Sequence, residues 1–241
     1  ADGLFSQWCS WGISASNPAN LKVIDTQFVH TGDTGTRKQM MKLSFSSGTA
    51  PNIELCGNSH QSGMYVTLRG HLGHELSLPA GAPYQMPGKY KTKYSERFEI
   101  VNGGSLVLES GAALHLPGDL LVGEGSGLVL EKGGLLSMAG GDLRVDGSLD
   151  VQGTAADPVQ LTGGPGCAST SGFFYVGDTG QASFSWVEIT GLSVFSIAGK
   201  GIFEHVTFNE VSPVSVSSGA SLVVADGLFS QWCSWGISAS N

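Results

Sequence analysis

The sequence predicts an all-β chain wound as a parallel β-helix solenoid. Three observations predict it. The stretch ADGLFSQWCSWGISASN stands at 1–17 and again, letter for letter, at 225–241, an offset of 225 − 1 = 224 residues. Glycine makes up 36 of the 241 residues while charged residues are only 13%; with abundant Val, Leu, Ser and Thr, that favours short strands joined by tight turns. From about Glu99 onward, short apolar alternations recur roughly every 6–8 residues and are broken by Gly.

The duplicated stretch contains two Trp and one Cys, and nothing between its copies repeats so closely. Tandem repetition explains it: the chain holds one full period plus an overlap, so that Asn241 leads on as Asn17 leads into Pro18. A fixed period is the signature of a solenoid or an array. The competing explanation is a segment copied deliberately to cap or permute a domain.

In chain order, NLKVIDTQFVHTGDTG opens with a strand and a Gly-rich turn. In MKLSFSSG, Leu43 and Phe45 alternate with Lys42, Ser44 and Ser46, the period of a half-buried strand. A further short strand runs over Pro51–Leu55 and ends at Cys56. Residues 1–56 therefore read as coils continuing from a preceding repeat. Residues 57–99 break the rhythm with His60, His71, His74 and the basic run KYKTKYSER; they read as a protruding insertion or side hairpin. Residues 100–241 read as coils again. Leu106 and Leu108, Leu114 and Leu116, Leu120 and Val122, Leu128 and Leu130, Leu135, Leu143 and Val145, Leu149 and Val151, and Val159 and Leu161 form the expected inward rows. Strands this short are not stable as isolated hairpins. Three per coil of about 21 residues, stacked at about 4.8 Å, bury a continuous core.

After a Cys-bearing loop, GGPGCASTSG, a second run of coils carries Phe208 in HVTFNEV, Phe229 in DGLFSQW and, across the seam, Phe28 in DTQFVHT. The spacings are 229 − 208 = 21 and 28 + 224 − 229 = 23. These three Phe are expected to stack on successive coils. The expected seam core is Phe28, Phe208, Leu228, Phe229, Trp232, Trp235 and Ile237.

GSLVLESGAALHLPGDLLVGEGS and GSLDVQGTAADPVQLTG resemble coils of secreted bacterial right-handed parallel β-helix proteins with a pectate-lyase-like fold, a group that includes autotransporter passengers and large surface adhesins. The resemblance covers about 99–241 and, through the seam, about 1–56. It implies a right-handed solenoid and an extracellular or cell-surface location. It says little about activity, because this fold hosts lyases, hydrolases, adhesins and inert stalks.

Candidate chemistry is sparse. Polysaccharide cleavage on such a fold needs clustered carboxylates, and no adjacent Asp pair or Asp-rich coil with a nearby Arg and His is present. Asp142, Arg144 and Asp146 share one outward face and read as a solvated salt-bridged surface; no catalytic residue is assigned. His71 and His74 in H-L-G-H, with His60 and Glu75 nearby, are imidazoles of the kind transition metals accept, but the H-E-x-x-H pattern is absent, and they read as surface histidines. GDTG at 32–35 and 177–180 offers an Asp in a Gly turn. Such a turn can contribute to a calcium site, or the Asp can bond its own backbone. No cofactor and no metal is expected, with calcium the open alternative.

The cysteines Cys9, Cys56, Cys167 and Cys233 reduce to three per period, since Cys233 repeats Cys9. One disulfide with one thiol free or cross-linking units is one reading; three buried thiols is the other. Net charge is 12 − 20 = −8, which argues against nucleic acid as a partner. No run of about 20 apolar residues that would span a membrane exists. Lys89, Lys91, Lys93 and Arg97 form either a basic arm docking on the acidic coils of a neighbour, where Glu109, Asp119, Glu124 and Glu131 lie, or a solvated edge that blocks aggregation. The expected role is a structural repeat of a giant extracellular filament, stalk or sheath, partnered end to end and laterally by its own copies. The alternative is an adhesin whose 57–99 segment binds glycans; an enzyme comes last.

Overall fold

The computed structural model describes residues 3–6, 12–18, 20–29, 39–46, 52–60, 63–86, 98–138, 140–164, 172–230 and 236–240. Among them are 27 strands and no helix, and hence no helix long and apolar enough to cross a membrane. The strands pair in parallel, 22 of them in one sheet.

Each strand pairs not with its neighbour in sequence but with one two or three strands further on. Leu106 lies opposite Leu128 and Leu128 opposite Leu149, steps of 22 and 21 residues. One row can be followed from one duplicated stretch to the other. It runs through Ile13–Ser16, Gln39–Phe45, Tyr65–Leu72, Phe98–Ile100, Leu120–Val122, Leu143–Val145, Phe173–Val176, Val194–Ile197, Val214–Val216 and Ile237–Ala239, in nine successive pairings. A second row joins Pro83–Gln85, Ala113–His115, Leu135–Ser137, Val159–Thr162, the later parts of Gln181–Thr190 and Lys200–Asn209, and Leu228–Ser230. A third joins Glu75–Leu78, Ser105–Leu108, Gly127–Glu131, Ser148–Gln152, the earlier parts of the same two long strands, and Ser221–Ala225. Nearer the start, Asn20–Ile24 pairs with Asn52–Cys56, and Thr26–Val29 lies between Gly3–Ser6 and Ser59–His60.

Alternation along each strand sends every second side chain inward. Leu78, Leu108, Leu130, Val151, Phe184 and Phe203 are all buried in one such file. Between Leu106 and Leu161 the core is aliphatic; from Phe174 onward phenylalanines are interspersed in it. Phe174 stacks on Phe195 at 4.5 Å, and Phe184 meets Phe203 edge-on at 4.7 Å.

Two sequence expectations need correction. The described part of 57–99 does not protrude. Tyr65–Leu72 pairs with Gln39–Phe45 on one side and with Pro83–Gln85 and Phe98–Ile100 on the other. Val66, Leu68, Leu72, Leu76, Leu78, Tyr84 and Met86 are buried in the same core. The rhythm is masked by Thr67, which is buried beside Val66 and Leu68, and by Gly70, which occupies an inward file opposite Phe45 and Phe98. The basic run itself, with Lys89, Lys91, Lys93 and Arg97, lies outside the described residues. In the Leu-Leu doublet, Leu136 rather than Leu135 is buried, because Leu114, Leu136 and Leu161 share a file.

Candidate functional site

The seam is where the duplicated stretch meets the rest of the chain, and the two copies are used on opposite sides. In the first copy, Gly3–Ser6 pairs forward with Thr26–Val29, setting Phe5 opposite Phe28, and Ile13–Ser16 pairs forward with Met41–Ser44. In the second copy, Leu228–Ser230 pairs backward with Thr207–Asn209, setting Phe229 opposite Phe208, and Ile237–Ala239 pairs backward with Val214–Val216. Phe229 is the counterpart of Phe5 (5 + 224 = 229), and Ile237 that of Ile13 (13 + 224 = 237).

Phe229 stacks face to face on Phe208, centroids 4.7 Å apart and planes 5° apart. Phe28 and Phe208 are fully buried, and Phe229 is half-buried against the core. Ile237 follows Val214 in an inward file yet remains 46% exposed, while its counterpart Ile13 packs against the core. One sequence therefore sits in two environments, covered where a following strand lies on it. Leu228 is not a core residue. It lies opposite Thr207 on the outer face and is 60% exposed, because alternation that turns Phe229 inward turns Leu228 outward. Trp232 and Trp235 lie outside the described residues.

Cys56 is an exposed free thiol at the end of its strand. Desolvation, then the neighbouring Glu54 carboxylate, push its pKa upward, which disfavours the reactive thiolate. Cys9, Cys167 and Cys233 lie outside the described residues.

The acidic outer face is internally committed. Arg144 donates from Nε to Asp146 Oδ2 at 2.8 Å, which raises the arginine pKa further, and its guanidinium sits 5.3 Å from the centroid of the Tyr175 ring. Asp142 Oδ1 accepts from the Phe173 amide, Asp119 Oδ1 from the Asp142 amide, and Glu99 lies 3.3 Å from His71 Nε2. Glu99, Asp119, Asp142, Arg144 and Asp146 border a recess of about 380 Å³. Glu131 Oε2 accepts from both the amide and hydroxyl of Ser110 at 3.0 Å, and so caps a turn. At 177–180, Gly180 N donates to Gly177 O and Thr179 Oγ1 to Asp146 O, closing the turn; the turn at 32–35 lies outside the described residues. Among the described residues, no three His, Cys, Asp or Glu side chains gather as a metal-binding group.

One outer-corner feature has no sequence signal. Trp186, His205 and Asp226 all hold left-handed backbone, with φ of 53°, 53° and 51°. Asp25 and Gly57 occupy the same corner one and two pairing steps beyond Asp226 when the copies are overlaid, with φ of 47° and 65°. Asp and Gly suit that conformation; Trp and His do not announce it.

No protein-family model matches the chain, and no curated protein matches it. Among solved structures, it is similar to the crystal structure of a TibC-catalyzed hyper-glycosylated TibA55-350 fragment, at 14% identity and a TM-score of 0.24, over 99% of this chain and 94% of that one. A likeness at that level bears on neither fold nor role here.

Proposed function

We propose that this chain is a right-handed parallel β-helix and a structural repeat unit of a tandem-repeat protein outside the cell or at its surface, where successive units run into one another as a filament, stalk or sheath. The observation that carries the reading is the row that starts on Ile13–Ser16 and reaches its own copy, Ile237–Ala239, after nine pairings. A row that returns to its starting sequence can continue without change. The two copies supply pairing on opposite sides, so overlaying them gives one coil paired on both. Continuation also hides strand edges, which otherwise invite uncontrolled pairing, and covers Ile237, worth about 1 kcal/mol for a half-exposed Ile. The parallel pairing and coil-length register favour the solenoid form, and the resemblance of the Gly-rich coils favours the extracellular setting. The engaged carboxylates of the outer face favour a structural over a catalytic role.

The test is electron microscopy of chains carrying one, two and three periods. Nine coils at about 4.8 Å predict a rod that lengthens by roughly 43 Å per added period at constant width. Beads joined by hinges, or a length that does not grow linearly, sink the proposal.

A further inference from the structure

Trp186 is the anomaly of the outer surface. It is a bulky residue in left-handed backbone, a conformation costly for its side chain, and it is 37% exposed rather than filling the core. Strain kept at an exposed site outside the core points to a function. The flanking residues give that function a chemistry. The His205 ring, one coil on, stacks on the indole with centroids 4.0 Å apart and planes within 16°. His205 Nδ1 lies 3.8 Å from Asp226 Oδ2, so the imidazole is tethered as well as stacked. Val159, Val187 and Val206 lie in register, which sets Pro158, Trp186 and His205 side by side on successive strands. The indole borders a recess of about 260 Å³, whose walls also include Pro158, Glu188, His205, Thr207 and Asp226.

We propose that Trp186, stiffened by His205 and flanked by Glu188, Thr207 and Asp226, is a subsite for one neutral sugar ring of a polysaccharide. A pyranose has an apolar C–H face that lies flat on an indole and equatorial hydroxyls that project sideways. The indole supplies a flat apolar platform with a large contact area. The carboxylates of Glu188 and Asp226 accept hydrogen bonds from hydroxyls, and Thr207 can donate or accept. The recess is smaller than the roughly 300–1,000 Å³ of drug-sized sites, which suits one ring with the chain continuing into solvent at both ends. Two carboxylates, and no Lys or Arg among the lining residues, disfavour acidic sugars. The inference is independent of the tandem reading: it concerns a corner within one unit and holds or fails whether or not units continue into one another.

The test uses the 241-residue chain with three probes: cellohexaose, hexa-N-acetylchitohexaose and hexagalacturonate. Indole fluorescence and calorimetry are followed up to millimolar concentration. Saturable binding of one of the two neutral probes is expected, with hexagalacturonate weaker. Trp186→Asn removes the platform while supplying a residue that favours left-handed backbone, so it should melt at the same temperature or higher and bind roughly tenfold or more weakly. His205→Asn keeps the indole but releases its support, and a smaller loss of affinity is expected. Absence of saturable binding by both neutral probes overturns the proposal. So does unchanged affinity in Trp186→Asn, or preference for the acidic probe. If Trp186→Asn unfolds, unchanged affinity in His205→Asn overturns it instead.

Discussion

Phe208 and Phe229 lie face to face, 4.7 Å apart and within 5° of parallel; the first is fully buried and the second is covered on one face. Phe208→Ala should cost roughly 3–5 kcal/mol, the range for a buried Phe, read as a lowered denaturation midpoint. Phe229→Ala should cost about half as much in this chain. In a chain of two periods, where the coil bearing Phe28 covers the second face, the cost of the same substitution at the internal seam should rise to the Phe208 level. Equal costs in both contexts would mean that the second face is never covered.

Gly70 sits where the long strand Tyr65–Leu72 passes from one neighbour to the next. Its φ is +91°, and a Cβ there would lie 2.1 Å from the carbonyl oxygen of Phe45. Gly70→Ala therefore adds a backbone clash to a conformational cost, together roughly 2–5 kcal/mol. Gly125 has φ of +72° but open space around it, so Gly125→Ala should carry only the conformational part, about 1–2 kcal/mol. Chemical denaturation of both variants checks the order.

Asn58 closes the corner beneath Asp25. Its Oδ1 accepts from the Thr26 amide at 3.0 Å, and its Nδ2 donates to the Val23 carbonyl at 2.8 Å. Asn58→Ala strands a part-buried donor and acceptor and should cost about 1–3 kcal/mol. Asn58→Asp keeps the acceptor but sets a carboxylate oxygen against the Val23 carbonyl, so its thermal midpoint should also fall below the parent's, and by less at acidic pH, where the protonated carboxyl can donate to that carbonyl.

How much of this was legible in the sequence depended on which side of the strand carried the signal. Leu106, Leu108, Leu128 and Leu130 announce inward files because each Leu-Val-Leu run is short and sharply bounded, by Ser105 and Glu109 in one case and by Gly127 and Glu131 in the other. In Tyr65–Leu72 the inward positions include Gly70, while Thr67, opposite Lys42 and Gln85, is buried although it belongs to the outward file. Composition there suggested an insertion, whereas the pairing makes it part of the wall. Leu228 was misassigned because an apolar residue beside Phe229 looks like core, and only the register with Thr207 turns it outward. The Trp186 corner left no trace, because left-handed backbone is readable from Gly, Asn or Asp but not from Trp or His. Asp25 and Asp226 were the available hints, and their spacing, 25 + 224 − 226 = 23 residues, matches that of the Phe file they adjoin.

His115 should give the fold a pH dependence of known sign. It lies on an outward file but is half-buried, edge-on to the Tyr65 ring at 5.5 Å, and burial lowers its pKa from the ordinary 6.5. Well above that value both folded and unfolded chains hold the imidazole neutral, and the residue adds no pH dependence. As pH falls through about 6.5, the unfolded chain takes up the proton while the folded chain resists, so the unfolded state gains and stability declines until the folded pKa is passed. His115→Gln cannot take up that proton. Its thermal midpoint should therefore fall less than the parent's between neutral pH and about pH 5. Parallel midpoint curves for the two chains across that window would show that the imidazole is solvated in the folded state and that Tyr65 does not shield it.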